Sequence, residues 1–278
     1  MSDEKEGIYT YLRTEKKFPP IWCPGCGNGI ILGSMLRAVS AIGLDKDRVA
    51  VVSGIGCSGR ASTYVDFNTL HTTHGRALTF ATGLKLARPE MTVLVVMGDG
   101  DALAIGGNHF IHAARRNMDL TAIIFNNYIY GMTGGQISPT TPPGMIASTA
   151  PAGNIESAFD VVKLAEAAGA SFVARGTTFH INQLNELMEK AIRKKGFSVL
   201  DALCQCPPIY GRYNRLGSAA DMLRWQEGQV MERADAEGLD EAAVKEKILT
   251  GVFVDVEKPE YCEEYDRLVT RVQGKADR

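Results

Sequence analysis

"MTVLVVMGDGDALAIGGNHFIHAARRNMDLTAIIFNN", residues 91–127, decides the fold. Its first run, "TVLVVM", is apolar without alternation and too short for a helix of a globular core. It reads as a strand buried on both faces. "GDGD" then forms a turn, "ALAIGGNHFIHAARRN" a helix, and "LTAIIFNN" a second strand. Strand, helix and strand in this order specify a βαβ unit, whose two strands lie parallel. Upstream, apolar residues recur at helical spacing from about Gly29 to Ile42 (Ile30, Ile31, Leu32, Met35, Leu36, Val39). "RVAVVSGIGCSGR" places a strand at Val49–Val52 before a glycine turn, and "HGRALTFATGLKLARP" is a helix stopped by Pro89. Downstream, "DVVKLAEAAGA" and "HINQLNELMEKAIRKKG" are helices, and "SFVARG" and "FSVLDAL" are strands. The whole is an α/β protein, a doubly wound parallel sheet with helices on both faces. Its glycine- and asparagine-rich strand ends share one edge, where such folds bind ligands.

Residues 1–20 are polar and lack periodicity, which implies an arm. "YGMTGGQISPTTPPGMIASTAPAGN" is a loop of a length that is functional or disordered. Residues 217–250 read as charged and helical, and the rest as a short tail. Two units follow: residues 1–215, the cofactor-binding domain, and 216–278, a helical C-terminal extension. The chain of 278 residues is 45% hydrophobic with a formal net charge of −2, so nothing calls for nucleic acid as a partner. The N-terminus has no apolar signal region, and no apolar run can cross a bilayer. A cytoplasmic location is expected. In that reducing compartment cysteine clusters point to metal or catalysis rather than structural disulfides.

"GDG" at 98–100 ends one strand, and Asn126-Asn127 end the next, under thirty residues later. Parallel neighbours bring those ends together. The Asp99 carboxylate, the Asn127 amide oxygen and a backbone carbonyl just beyond would offer three oxygens to Mg²⁺, which takes its remaining ligands from phosphates and water. Gly98 and Gly100 would admit a diphosphate beside a helix N-terminus. This spacing is the thiamin diphosphate motif. "WCPGC" at 22–26 allows a redox disulfide, zinc or an iron–sulfur cluster. A thioredoxin-like disulfide needs a preceding strand, which residues 1–20 do not offer. Zinc and iron–sulfur both accept four thiolates, and the residues alone leave that choice open; the thiamin motif favours iron–sulfur.

"WCPGCGNG", "SGIGCSGR", "HTTHGRALTFATGLKLARP", "GDGDALAIGGNHFIHAARRN", "FNNYIYGMTGGQISPTTP" and "GFSVLDALCQCPP" stand in one order between residue 22 and about residue 208. Together they resemble the β subunit of a 2-oxoacid:ferredoxin oxidoreductase, in its 2-oxoglutarate branch. The resemblance implies thiamin diphosphate, Mg²⁺ and a [4Fe-4S] cluster. It implies cluster ligation by Cys23, Cys26, Cys57 and Cys206, with Cys204 and Cys262 as free thiols. It implies magnesium on Asp99, Asn127 and Ile129, and thiamin diphosphate on Ile55, Gly56, Cys57, Ser58, His74, Gly100, Asp101, Gly131 and Met132. His74 in "THGRA" and Arg60, three residues after Cys57, are the expected catalytic side chains, Arg60 as a fork for a distal carboxylate. His109 and His112 are expected to pack, and His180 to lie on the surface. The implied reaction is CoA-dependent oxidative decarboxylation of 2-oxoglutarate, with electrons passed to ferredoxin, or its reverse. The glutamate that activates thiamin has no matching motif here; the resemblance assigns it to an α subunit, in a dimer of αβ units. Rival readings are a pyruvate or broad-specificity enzyme of the same kind, a thiamin decarboxylase without electron transfer, and a zinc-bound scaffold.

Overall fold

The computed structural model describes residues 7–244 and 246–276. Among the described residues ten strands form: β1 (Val49–Ser53), β2 (Asn68–His71), β3 (Thr92–Gly98), β4 (Thr121–Asn126), β5 (Ile129–Tyr130), β6 (Gln136–Ile137), β7 (Phe172–Thr177), β8 (Ser198–Leu203), β9 (Val230–Glu232) and β10 (Ile248–Asp255). Eight of them make one sheet in the order β2-β1-β3-β4-β8-β7-β10-β9. Every neighbouring pair is parallel except β7 and β10. The doubly wound parallel sheet is therefore present, with one antiparallel seam.

The unbroken apolar runs follow from the two-faced burial. Along β1, Val49 and Val51 enter one core with the helices Asn28–Ile42 and Ile181–Arg193. Ala50 and Val52 enter the opposite core with the helices Ala77–Ala87, Gly107–Arg116 and Val161–Ala167. Alternate side chains thus serve opposite layers, and a polar residue is accepted only where it finds partners, as Ser53 does with Gly59 and Ser62.

Several expectations change. Residues 1–6 of the expected arm lie outside the described residues. From residue 7 onward the segment is anchored: Ile8, Tyr11 and Leu12 pack on the first core, and Arg13 N–H donates to the Tyr64 carbonyl at 2.8 Å. The "ALAIGG" start of the post-GDG helix is a π-helical turn, Asp101–Ile105, before regular helix begins at Gly107. β2 escapes the apolar pattern because it is a short edge strand with every side chain exposed. The long loop is ordered: β5 and β6 pair, Thr141 Oγ1 donates to the Tyr128 carbonyl at 2.5 Å, and Asn154 Nδ2 donates to the Thr141 carbonyl at 2.8 Å. Between 217 and 250 the helix Ala219–Gln229 is followed by β9 and two short turns, not by continuous helix. The helical C-terminal tail is present as Tyr261–Ala276, but β10 precedes it and joins the main sheet. Gly251 and a register shift between Val252 and Val254 break the alternation by which a strand is recognised there.

Candidate active site

The sheet brings four strand ends to one edge. Beyond β1 lies Gly54–Cys57, beyond β3 Asp99–Asp101, beyond β4 Asn127, and beyond β8 Cys204–Cys206. Two cavities open there. The first, about 80 Å³, is lined by Ile55, Gly56, Cys57, Ser58, His74, Asp99, Gly100, Asp101, Asn127, Ile129, Gly131 and Met132. The second, about 300 Å³, is lined by Cys23, Cys26, Cys57 and Cys206 together with Trp22 and Ile209. Cys57, Asn127, Gly131 and Met132 line both, so the cavities share a wall.

Asp99 is buried, and burial pushes its carboxyl up to about 6 against hydrogen bonds from the Thr140 and Ser138 hydroxyls. Thr140 Oγ1 donates to it at 2.5 Å. Among the described residues no basic side chain pairs with Asp99. A buried carboxylate surrounded only by neutral donors is suited to a cation. Asn127 Oδ1 accepts from the Ile129 N–H at 3.3 Å, and Tyr128 between them takes a left-handed φ of 64°. That left-handed residue folds the chain back past β4 and puts Ile129 on the cavity wall.

The turn is supported from behind. Asn126 Oδ1 accepts the Tyr128 N–H at 3.4 Å, and its Nδ2 donates to Asp201 at 3.0 Å. Asp201 has no exposed surface and accepts Arg175 Nε at 2.7 Å; Arg175 also reaches Asp160, the N-cap of Val161–Ala167, at 2.5 Å. Across the cavity, Asp101 Oδ1 accepts the Gly75 N–H at 2.7 Å and bonds His74 Nδ1, while its Oδ2 is buried without a partner. Burial raises the Asp101 carboxyl, against hydrogen bonds from Gly75 and His74.

The thiols crowd one another. Burial pushes Cys26 up to about 12 and Cys57 up to about 11, and neighbouring thiolates add to both. Trp22 Nε1 donates to the Cys57 carbonyl at 2.7 Å and its ring meets Tyr64 edge-on at 4.9 Å, which ties the first cysteine turn to the second. A Cβ on Gly131 would stand 3.6 Å from Cys206 Sγ and 3.8 Å from Cys57 Sγ; glycine keeps the space between those sulfurs open. Among the described residues no three His, Cys, Asp or Glu side chains converge on a single-ion site. The four thiols line one cavity of about 300 Å³.

Gly100 lines the first cavity and also receives the Tyr130 ring. A Cβ there would meet the Tyr130 ring at 2.2 Å, and Tyr130 Oη donates to the Gly100 carbonyl at 2.9 Å. Arg60 lines neither cavity. It is half-buried, its Nε is buried without a partner, and its charge acts on both Cys57 and His71. His109 and His112 line a groove between the helices Ala77–Ala87 and Gly107–Arg116, away from the site. His180 is half-buried, its Nδ1 bonded to Thr177 Oγ1 at 3.0 Å. Cys204 is buried, which raises its thiol well above the ordinary value, and Cys262 lies in the second core. Asn28, Phe125, Tyr130 and Thr133 also line the first cavity and were not anticipated. Asn28 directly follows the cysteine turn, which was the one available signal.

The profile of the thiamine pyrophosphate enzyme C-terminal TPP binding domain matches residues 54–202. Over 275 residues the chain is 49% identical to the 2-oxoglutarate synthase subunit KorB of Methanothermobacter thermautotrophicus, covering 99% of this chain and 96% of the relative. A 2-oxoacid:ferredoxin oxidoreductase subunit beta of Saccharolobus solfataricus is 48% identical over 188 residues, 67% of this chain and 62% of the relative. The chain belongs to the 2-oxoacid:ferredoxin oxidoreductase β-subunit family. Within that family the KorB subunit of Archaeoglobus fulgidus is 52% identical over 258 residues, 93% of this chain and 92% of the relative. The structure of a 2-oxoglutarate:ferredoxin oxidoreductase from Magnetococcus marinus, with 2-oxoglutarate, coenzyme A and succinyl-CoA bound, superposes with a TM-score of 0.86 at 33% identity. It covers 97% of this chain and 92% of that one. The matched thiamine pyrophosphate domain takes in Gly54–Cys57, Asp99 and Asn127 and ends just before Cys204 and Cys206. Among the described residues of this family member no helix is long and apolar enough to cross a membrane.

Proposed function

We propose that the chain is the cofactor-bearing β subunit of a 2-oxoglutarate:ferredoxin oxidoreductase. The net reaction converts 2-oxoglutarate and coenzyme A to succinyl-CoA and CO₂, and two electrons pass to ferredoxin; the reverse fixes CO₂. Residues 1–215 would form the catalytic unit and 216–278 the extension. The observation that carries the reading is the shared wall between a cavity headed by a buried, cation-seeking carboxylate and a cavity lined by four cysteines.

The residues present fit the implied groups. Asp99, Asn127 and the Ile129 backbone would hold Mg²⁺ in the first cavity, where the orphaned Asp101 Oδ2 awaits a further partner. Ile55, Gly56, Cys57, Ser58, His74, Gly100, Asp101, Gly131 and Met132 would surround thiamin diphosphate. Cys23, Cys26, Cys57 and Cys206 would hold a [4Fe-4S] cluster. When bound, thiamin diphosphate supplies the nucleophile and electron sink for oxoacid decarboxylation, and the cluster accepts single electrons. Asp101 keeps His74 Nδ1 engaged, so His74 presents its other ring nitrogen for proton handling. Arg60 would meet the distal carboxylate of 2-oxoglutarate. Among the described residues lining the first cavity there is no glutamate, which supports a half-site completed by an α subunit; a dimer of such pairs, located in the cytoplasm, belongs to the same proposal.

The test is anaerobic purification of the complex, an ultraviolet–visible spectrum, and iron, sulfide, zinc and thiamin analysis. Four iron per chain and a brown chromophore are expected, lost in Cys23→Ser, Cys26→Ser, Cys57→Ser and Cys206→Ser and retained in Cys262→Ser. A colourless protein with stoichiometric zinc would refute the redox reading.

A further inference from the structure

Asn28 opens the helix Asn28–Ile42 directly behind the Cys23/Cys26 turn and has no exposed surface. It stands on the wall of the first cavity with Cys57 and Gly98. Its two amide atoms are in different situations. Oδ1 accepts the Cys204 thiol at 3.7 Å. Nδ2 is buried, and no protein acceptor reaches it. A buried donor without an acceptor is rare and costs stability, so a bound group that supplies an acceptor recovers that loss.

The amide is also held in place. Its own backbone N–H donates to the Cys26 sulfur. The preceding Gly27 N–H donates to the Gln205 carbonyl at 3.1 Å, and Gln205 Nε2 donates back to the Gly25 carbonyl at 3.0 Å. Gly27 permits this contact, because a Cβ there would lie 2.5 Å from the Cys204 Cβ. The helix start and the Cys204–Cys206 segment are therefore in direct contact, and the Cys204 thiol donates to Asn28 Oδ1 across that contact.

We propose that Asn28 binds thiamin diphosphate, donating from Nδ2 at the cysteine end of the cavity, and that Cys204 is a positioning residue that holds Oδ1. Cys204 thus has a function separate from cluster ligation. The proposal rests on the thiamin reading above.

The experiment uses the chain assembled with its partner subunit, stripped of Mg²⁺ and thiamin diphosphate by a chelator. Thiamin diphosphate is titrated at fixed Mg²⁺ with protein fluorescence as the readout, beside iron content and thermal unfolding of the unliganded protein. Asn28→Ala raises Kd at least tenfold with iron content unchanged. Asn28→Asp, the same size with an acceptor in place of the donor, does the same. Cys204→Ser stays within about twofold of wild type, because a hydroxyl also donates to Oδ1. Cys204→Ala raises Kd several-fold, and adding it to Asn28→Ala weakens binding no further, the non-additivity of two residues acting through one bond. Wild-type Kd in both Asn28 variants overturns the proposal, as does additivity of the pair. Loss of iron from both Asn28 variants would overturn it too, by placing the amide in service of the cluster. A wild-type protein that binds no thiamin diphosphate overturns the functional reading itself, which is a distinguishable failure.

Discussion

Asp201→Ala removes the middle of the polar chain that runs behind the cofactor edge. Asp201 has no exposed surface; Arg175 donates to it at 2.7 Å and Asn126 at 3.0 Å. Breaking a buried ion pair by deleting one partner costs about 3–5 kcal/mol, because the other charge stays buried. Arg175 keeps Asp160, whose side chain is 35% exposed, so the lower end, about 3 kcal/mol, applies. Orphaning the Asn126 amide adds about 1 kcal/mol. The sum of about 4 kcal/mol corresponds to a fall in Tm of roughly 8–16 °C for a domain of this size. Differential scanning calorimetry on the metal-replete complex measures it. Arg175→Leu with Asp201→Leu should lose less than Asp201→Ala alone, since replacing both charges leaves none stranded. The second effect is local: Asn126 holds the left-handed Tyr128, so Asp201→Ala should weaken Mg²⁺-dependent thiamin diphosphate binding several-fold. A Tm within about 2 °C of wild type, under 1 kcal/mol on this scale, would refute the reasoning. So would a double variant that loses as much as Asp201→Ala.

Other outcomes are open to direct measurement. Asp99→Ala should abolish Mg²⁺-dependent thiamin diphosphate binding, measured by titration, while Asn127→Ala weakens it less, because only Asp99 brings a charge. The β chain alone should show no oxoacid decarboxylation; turnover at the rate of the complex would sink the half-site. Arg60→Ala should lower kcat/KM for 2-oxoglutarate about 10- to 100-fold, on the scale of one charged hydrogen bond. Pyruvate, with no distal carboxylate, should change far less, and an equal fall for both would remove Arg60 from substrate binding. Asp119 is half-buried, which alone would raise its carboxyl, but hydrogen bonds and charge from Lys85 at 2.7 Å and Lys195 at 3.0 Å hold it below the ordinary carboxylate range. Its contribution to stability is present above the unfolded value, about 3.9, and is lost as pH falls through the lower folded value. Asp119→Asn should therefore flatten the acid limb of stability against pH; an unchanged slope in urea melts would count against that pair.

Legibility in the sequence tracked burial. β1, β3 and β4 are buried on both faces, so their apolar runs reveal them directly, and β7 and β8 show through their remaining apolar residues despite Arg175 and Asp201. β2 faces solvent along its length and β10 is broken by a bulge, so neither carries a usable period. At the site, the residues whose chemistry is rare, the cysteines and the GDG and NN turns, stood out in isolation. Thr140 reaches Asp99 from 41 residues away, and Cys204 reaches Asn28 from 176. No local pattern encodes such contacts, because the sheet order creates them. Arg60 was legible as a charge beside Cys57, yet its side chain lines neither cavity, which only three-dimensional placement could reveal.

The antiparallel seam has a consequence for biosynthesis. A ribosome releases β1, β3, β4, β7 and β8 in sequence, so the cofactor edge is complete once Cys206 emerges. The free side of β7 then waits for Ile248–Asp255, the segment that covers it. Until that segment arrives, β7 presents unpaired N–H and C=O groups along Phe172–Thr177, a template for any passing strand. A chain truncated before Ile248 keeps every proposed metal ligand and exposes that edge permanently. Its failure would be aggregation, not loss of the ligand set, and a purification tag belongs beyond the C-terminal helix rather than in place of β10.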